Sequence, residues 1–311
     1  MEGFDANFAK VRLFEPKVLL LDFHGTICST RWEQRQLLPF VLQQLADYLQ
    51  QNWNVLQVEQ LVQQLRADSY VQRFAGFRDD APLVDQRDTV DGPEAGQENQ
   101  AATMATNLPT PEELNTLVAF IRWQVQQRRE TTECLQLQRL IWQQGLADGR
   151  LKVHLFADVP SALTRWKKAG IRLCMFSSVQ QADLRLMLQH TQYGNVLDSF
   201  ESLFDPTIGN RLQPTTYRKL ADLVQVVPQR MLYLTDVGKV AKMAAQTGID
   251  CTLVVRPENA RVREYYLTSF SFVNSFDLIE FVPVSREMVS MVVNRLNIFR
   301  EETGRESKRS S

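Results

Sequence analysis

Four short apolar runs punctuate the chain, at residues 17–21, 171–176, 231–234 and 251–255. Each is continuous rather than alternating, the pattern of strands covered on both faces. Helical patterns separate the later runs. Residues 160–169 begin with proline at a helix start and stop at Gly170, a terminating position. Residues 180–190, 215–224 and 238–247 also read as helices, the last closed by Gly248. Strand and helix alternating over residues 150–256 predict an α/β fold with a doubly wound parallel sheet.

The first run stands far from the others. Between them, residues 32–148 have a different texture, glutamine-rich with helical stripes: Leu37, Leu38, Val41, Leu42, Leu45, Tyr48 and Leu49, then Leu114, Leu117, Val118, Ile121 and Val125. A helical insertion forming a cap domain follows from this. The expected division is a discontinuous core of residues 1–30 and 150–283 with a cap of residues 31–149. Inside the cap, residues 78–109 are rich in Asp, Gln, Gly and Pro, and a disordered loop is expected there. Met288, Met291, Val292, Leu296 and Phe299 fall at helical spacing, so residues 284–311 are expected to add a helix and a mobile tail.

Composition narrows the partners. Of 311 residues, 44% are hydrophobic and 23% charged, ordinary for a soluble globular protein. A net charge of -1 creates no field that would gather nucleic acid or an acidic membrane. No apolar run approaches the ~20 residues of a membrane span, and the N-terminal stretch has no signal-peptide core. Cys28, Cys134, Cys174 and Cys251 show no CxxC spacing and read as reduced thiols, Cys174 and Cys251 as small buried hydrophobes. The expected protein is cytoplasmic, with the nucleus also open to it, monomeric, and served by a small molecule rather than nucleic acid or membrane.

Ligands of open parallel sheets bind beyond the carboxyl ends of the strands. The first run ends in Asp22-Phe23-His24-Gly25-Thr26, the second in Ser177-Ser178 and the third in Thr235-Asp236, while Lys219 lies on the intervening helix. An aspartate can attack phosphorus and split one hard displacement into two. Asp22 and Asp236 together suit Mg²⁺, Lys219 adds a point charge, and Ser177 and the amide of Ser178 suit phosphate oxygens. Singly, each has a plainer reading: the aspartates and serines as helix caps, the lysine as a solvated residue. The ordered set Asp, Ser, Lys, Asp is more specific than its parts.

At these residues the chain resembles the haloacid dehalogenase superfamily, and within it the enolase-phosphatase E1 (acireductone synthase) family. The similarity rests on LLLDFHGT at 19–26, Leu38-Pro39-Phe40, the run from Thr131 to Val159 ending FADV, Thr216–Lys219, LTDV at 234–237 and VVRPENA at 254–260. It implies an Mg²⁺-dependent enolisation and dephosphorylation of 2,3-diketo-5-methylthiopentyl-1-phosphate in methionine salvage. By position it implies Asp22 as nucleophile and metal ligand, and Asp236 and the His24 carbonyl as further ligands. Ser177, Ser178 and Lys219 would be phosphate or substrate binders. The chain departs from the family at three places. His24 stands where an acid is usual, Val240 replaces an acid after the metal aspartate, and Ile27-Cys28-Ser29 differs from the family's threonine-rich turn. Histidine can transfer protons near neutrality but differs in reach. A catalytically weakened or inactive binding protein of the same fold, and a phosphatase for another small phosphorylated metabolite, therefore stay open beside the implied activity.

Overall fold

The structure, a computed structural model, describes residues 10–76, 78–84, 108–257 and 259–283. They fall into two compact units, one joining Met1–Arg31 to Val153–Ser311 in their described parts, the other within Trp32–Lys152. The expected helix at 285–300, its tail, and residues 85–107 of the expected loop lie outside the described residues.

The first unit is built on strands β2 (Val18–Leu21), β3 (Arg172–Phe176), β4 (Ser202–Phe204), β5 (Met231–Thr235), β6 (Asp250–Val254) and β7 (Ser271–Val273). All pair in parallel, in the order β4-β3-β2-β5-β6-β7. A small separate pair, β1 (Val11–Phe14) with β8 (Ile279–Val282), is also parallel. Counted within the large sheet, the order reverses between β2 and β5, the topological switch point at which such sheets take their ligands.

The continuous apolar runs are explained by burial on both faces. Val18 and Leu20, Cys174 and Phe176, and Met231 and Tyr233 share one face. They pack on Tyr217, Leu220 and Val224 of α7 (Pro214–Val224) and on Val240 and Ala244 of α8 (Gly238–Ala245). The alternate residues Leu19, Leu21, Leu173, Met175, Leu232 and Leu234 are equally buried on the other. Each large side chain so placed contributes about 1.5–3 kcal/mol. Cys174 lies in this core, where burial pushes its thiol up to about 12. Val240 belongs to the same apolar cluster, so its side chain serves packing there. Strands β1, β4, β7 and β8 have three or four residues each and little apolar continuity, which is why the sequence pattern passes over them.

The inserted unit contains α1 (Leu38–Asn52), α2 (Leu56–Tyr70), α3 (Pro111–Gln127) and α4 (Thr132–Ala147). Helix α3 starts at a capping box: Thr110 accepts from the Glu113 amide at 3.2 Å and Glu113 accepts from the Thr110 amide at 2.8 Å. Glu113 also pairs with Arg66 of α2 at 3.0 Å, stapling the two helices. Part of the expected disordered loop is anchored instead. Ala81 and Val84 are fully buried, the Val84 amide donates to Ser69 at 3.2 Å, and the Trp123 indole donates to Asp80 at 2.8 Å. Two small apolar side chains and one tryptophan supply what the polar composition hid. Among the described residues, no helix is long and apolar enough to cross a membrane.

Candidate active site

The turn after β2 carries Asp22, and the turn after β5 carries Asp236. In register Leu21 faces Leu234, so Asp22 stands level with Thr235, and Asp236 follows one residue beyond on the same carboxyl edge. Asp22 is 2% exposed. One of its oxygens, Oδ2, accepts from the Thr235 hydroxyl at 3.0 Å and from Nη2 of Arg211, with which it forms an ion pair. The same Nη2 donates to the Tyr233 hydroxyl at 2.9 Å. Arg211 comes from the loop before α7. Burial disfavours its charge, yet Tyr233 and the negative Asp22 raise its pKa overall, so the guanidinium stays cationic.

Sequence reading placed a different cation here. Lys219 is exposed on α7, and its ammonium donates to the Ile208 carbonyl at 3.1 Å. The cation on the Asp22 carboxylate is Arg211. The signal that could have found it was position: Arg211 lies three residues before the N1 proline of α7, in the loop leading from the sheet edge.

Asp236 is the counterpart. Burial, and next the negative charge of Asp22, push its carboxyl up to about 7. Its Oδ1 is buried and makes no hydrogen bond, while Oδ2 accepts from the Asn259 amide at 3.3 Å. A buried carboxylate beside a partly buried one that has an unused oxygen makes a donor set for a hard divalent cation, which would relieve their repulsion. Among the described residues no three Asp, Glu, His or Cys side chains gather as a metal site, so a third protein ligand would be a main-chain carbonyl or a neutral side-chain oxygen. The residues present fit such an ion.

The turn itself is tightly specified. Gly25 has φ +75°, and a Cβ there would run into the Asp236 carboxylate. Gly25→Ala combines a left-handed penalty of about 1–2 kcal/mol with that collision. The expected result is loss of most activity together with a lowered urea-unfolding midpoint, read on the same preparation.

From the far end of the sheet, Arg256 fastens this turn. It donates to the Thr26 carbonyl at 3.2 Å and to the Asn274 carbonyl, and it lies between the rings of Phe156 and Phe276 at 4.3 and 4.7 Å. Asn259 donates to the Gly25 carbonyl at 2.6 Å. Asp158, 2.7 Å from Arg256, completes a buried pair and also accepts from Ser275 and from the Phe276 amide. Burial raises the Asp158 carboxyl, but Arg256 and these donors outweigh it and hold the group below its usual value. Its contribution to stability is therefore present above the unfolded pKa of about 3.9 and is lost as pH falls through the lower folded value. Asp158→Asn is expected to destabilise the protein by about 3 kcal/mol at pH 7. It should also flatten the fall in unfolding midpoint below about pH 4; urea titrations at pH 7 and pH 3 check both.

Ser177 ends β3 beside β2, fully buried, and its hydroxyl accepts from the Val179 amide at 3.1 Å, which leaves its hydrogen as a donor. Ser178 is exposed on the same turn. His24 is half-buried in the turn after Asp22, its ring edge-on to Phe23 at 4.8 Å. The strand ends thus bring Asp22, Asp236, Ser177 and Ser178 to one edge with His24. Arg211 and Tyr233 join them without having been singled out, together with Thr235, which precedes Asp236, and Asn259, which the sequence places past the last strand as a structural residue of the rim.

No family model matches the chain. It is 30% identical over 260 residues to enolase-phosphatase E1 of Drosophila grimshawi, covering 84% of this chain and 95% of that protein. Identity is also 30% to the enolase-phosphatase E1 of Drosophila virilis, over 84% and 93% of the two chains. Among solved structures, the Unknown transcript 4 protein of Saccharomyces cerevisiae superposes with a TM-score of 0.60 at 18% identity, covering 84% of this chain and 99% of that one, which supports the fold. Similarity of this degree along nearly the whole of its relatives establishes that the chain belongs to the enolase-phosphatase E1 family.

Proposed function

We propose that this phosphatase is an Mg²⁺-dependent enolase-phosphatase acting on 2,3-diketo-5-methylthiopentyl-1-phosphate, the methionine-salvage reaction of acireductone synthases. The observation that carries the reading is a buried Asp22 held against Arg211 and flanked by Asp236 at the switch point of the sheet. Asp22, Asp236 and the His24 carbonyl would hold Mg²⁺, which supplies positive charge to the phosphoryl oxygens when bound.

Asp22 is the nucleophile. Its carboxylate oxygen bonds to phosphorus as the bond from phosphorus to the enol oxygen breaks, and His24 gives the departing oxygen its proton. Water, its proton taken by His24, then attacks the phosphorus and releases phosphate with Asp22 restored. Arg211 shares the charge that builds on the transferring group, and Ser177 and the Ser178 amide receive its oxygens. Lys219, exposed on α7 with its ammonium on the Ile208 carbonyl, is given no role in this reading.

His24 favours one rival, a phosphate-binding protein with little turnover, because the acid usual at this position is absent. Purified full-length protein incubated with Mg²⁺ and the diketo phosphate, followed by phosphate release and enol absorbance, separates the two. Turnover by the wild type supports the proposal. No turnover until His24→Glu restores it supports the rival, and phosphate release only from other esters moves the substrate elsewhere.

A further inference from the structure

Arg211 sits on a loop, and a loop-borne arginine has many rotamers. Three aromatic residues from three elements confine this one. Tyr217 of α7 donates its hydroxyl to the Arg211 carbonyl at 2.8 Å. The ring of Phe176, at the end of β3, lies under the guanidinium at 5.5 Å. Tyr233 of β5, fully buried, offers its hydroxyl to the Nη2 that also reaches Asp22. Core packing alone would be met by phenylalanine at 233. The phenol oxygen is a polar group placed in the sheet interior, where an unmet one is unfavourable by about 1–3 kcal/mol, so its partner defines its use.

We infer that Tyr233 is a positioning residue for phosphoryl transfer: its hydroxyl fixes the edge of the Arg211 guanidinium so that Nη2 is aimed at the Asp22 carboxylate, and the two residues work as a matched pair. Burial first, then the nearby charge of Asp22, push the phenol well above its ordinary value, so it stays neutral and able to accept.

The inference rests on the proposed phosphatase chemistry, and a double-mutant cycle with two readouts tests it. Tyr233→Phe is expected to lower kcat for the diketo phosphate about tenfold with KM changed less than threefold. In an Arg211→Lys background the same substitution should lower kcat less than twofold, because the flexible ammonium has no planar edge to fix. Equal losses in both backgrounds, or no loss in the first, overturn it. If the wild type hydrolyses no ester, the proposed function fails on its own. The pair is then read from binding of inorganic phosphate with Mg²⁺ by calorimetry, with urea midpoints as the control for folding. Affinity losses that are non-additive between Tyr233→Phe and Arg211→Lys sustain the inference. Additive losses, or no change in binding, reject it.

Discussion

Asp22→Asn is expected to reduce phosphate release at least ~10⁴-fold, since removing a group that forms the covalent intermediate takes away the whole two-step route. The amide keeps the shape of the carboxylate, and its single oxygen can still accept from the Phe23 amide, although its NH2 group cannot accept from Thr235. Circular dichroism should therefore show the wild-type fold. The substitution also removes the negative charge that helps to push Asp236 upward, so loss of activity with the fold intact is the expected pairing. Residual turnover above ~1% in a preparation free of contaminating phosphatase would place the nucleophile elsewhere.

The second large effect compares two cations. Arg211→Ala leaves Asp22 buried without its counter-charge and removes the donor nearest the reacting carboxylate. A loss of ~10²–10³-fold in kcat is expected, the range seen when one preorganised donor to a developing charge is deleted. Lys219→Ala should change kcat by less than twofold, because its ammonium is exposed and engaged with the Ile208 carbonyl. Both variants measured side by side under steady-state conditions decide the assignment. The reverse ranking would restore Lys219 to the site and dismiss the ion pair with Asp22.

What could be read from the chain differs between main chain and side chain. The central strands were legible because burial on both faces leaves unbroken apolar runs, and Pro160, Gly170 and Gly248 mark helix boundaries by conformational rules that do not depend on context. From the strand ends, the edge bearing Asp22, Ser177 and Asp236 followed directly. The cation did not. Choosing between Arg211 and Lys219 requires knowing that the Lys219 ammonium meets the Ile208 carbonyl, and no periodicity within the loop before α7 announces that Arg211 reaches Asp22. Arg256 and Asn259 could be placed past the last strand at the rim, but what they hold could not be read, for a related reason. Their partners are main-chain carbonyls of Gly25 and Thr26, and a carbonyl leaves no trace in residue type. Val240 shows the converse, a position that looked chemical and lies in the core cluster.

The tie from Asn259 to Gly25 spans 234 residues. Chains emerge from the ribosome amino end first, at about 5–20 residues per second. The nucleophile-bearing strand must therefore wait on the order of ten seconds or more for β5, β6 and the Arg256–Asn259 segment to exist. The helices within Trp32–Lys152, contiguous and locally connected, meet no such delay. Until β3 emerges, β2 is a wholly apolar strand without a partner strand, and until β5 follows it is paired on one side only, with a carboxylate at its tip. Nascent chains halted before residue 256 should accordingly engage holding chaperones and show no hydrolytic competence, which makes the last strand-to-loop junction the step that licenses the catalyst.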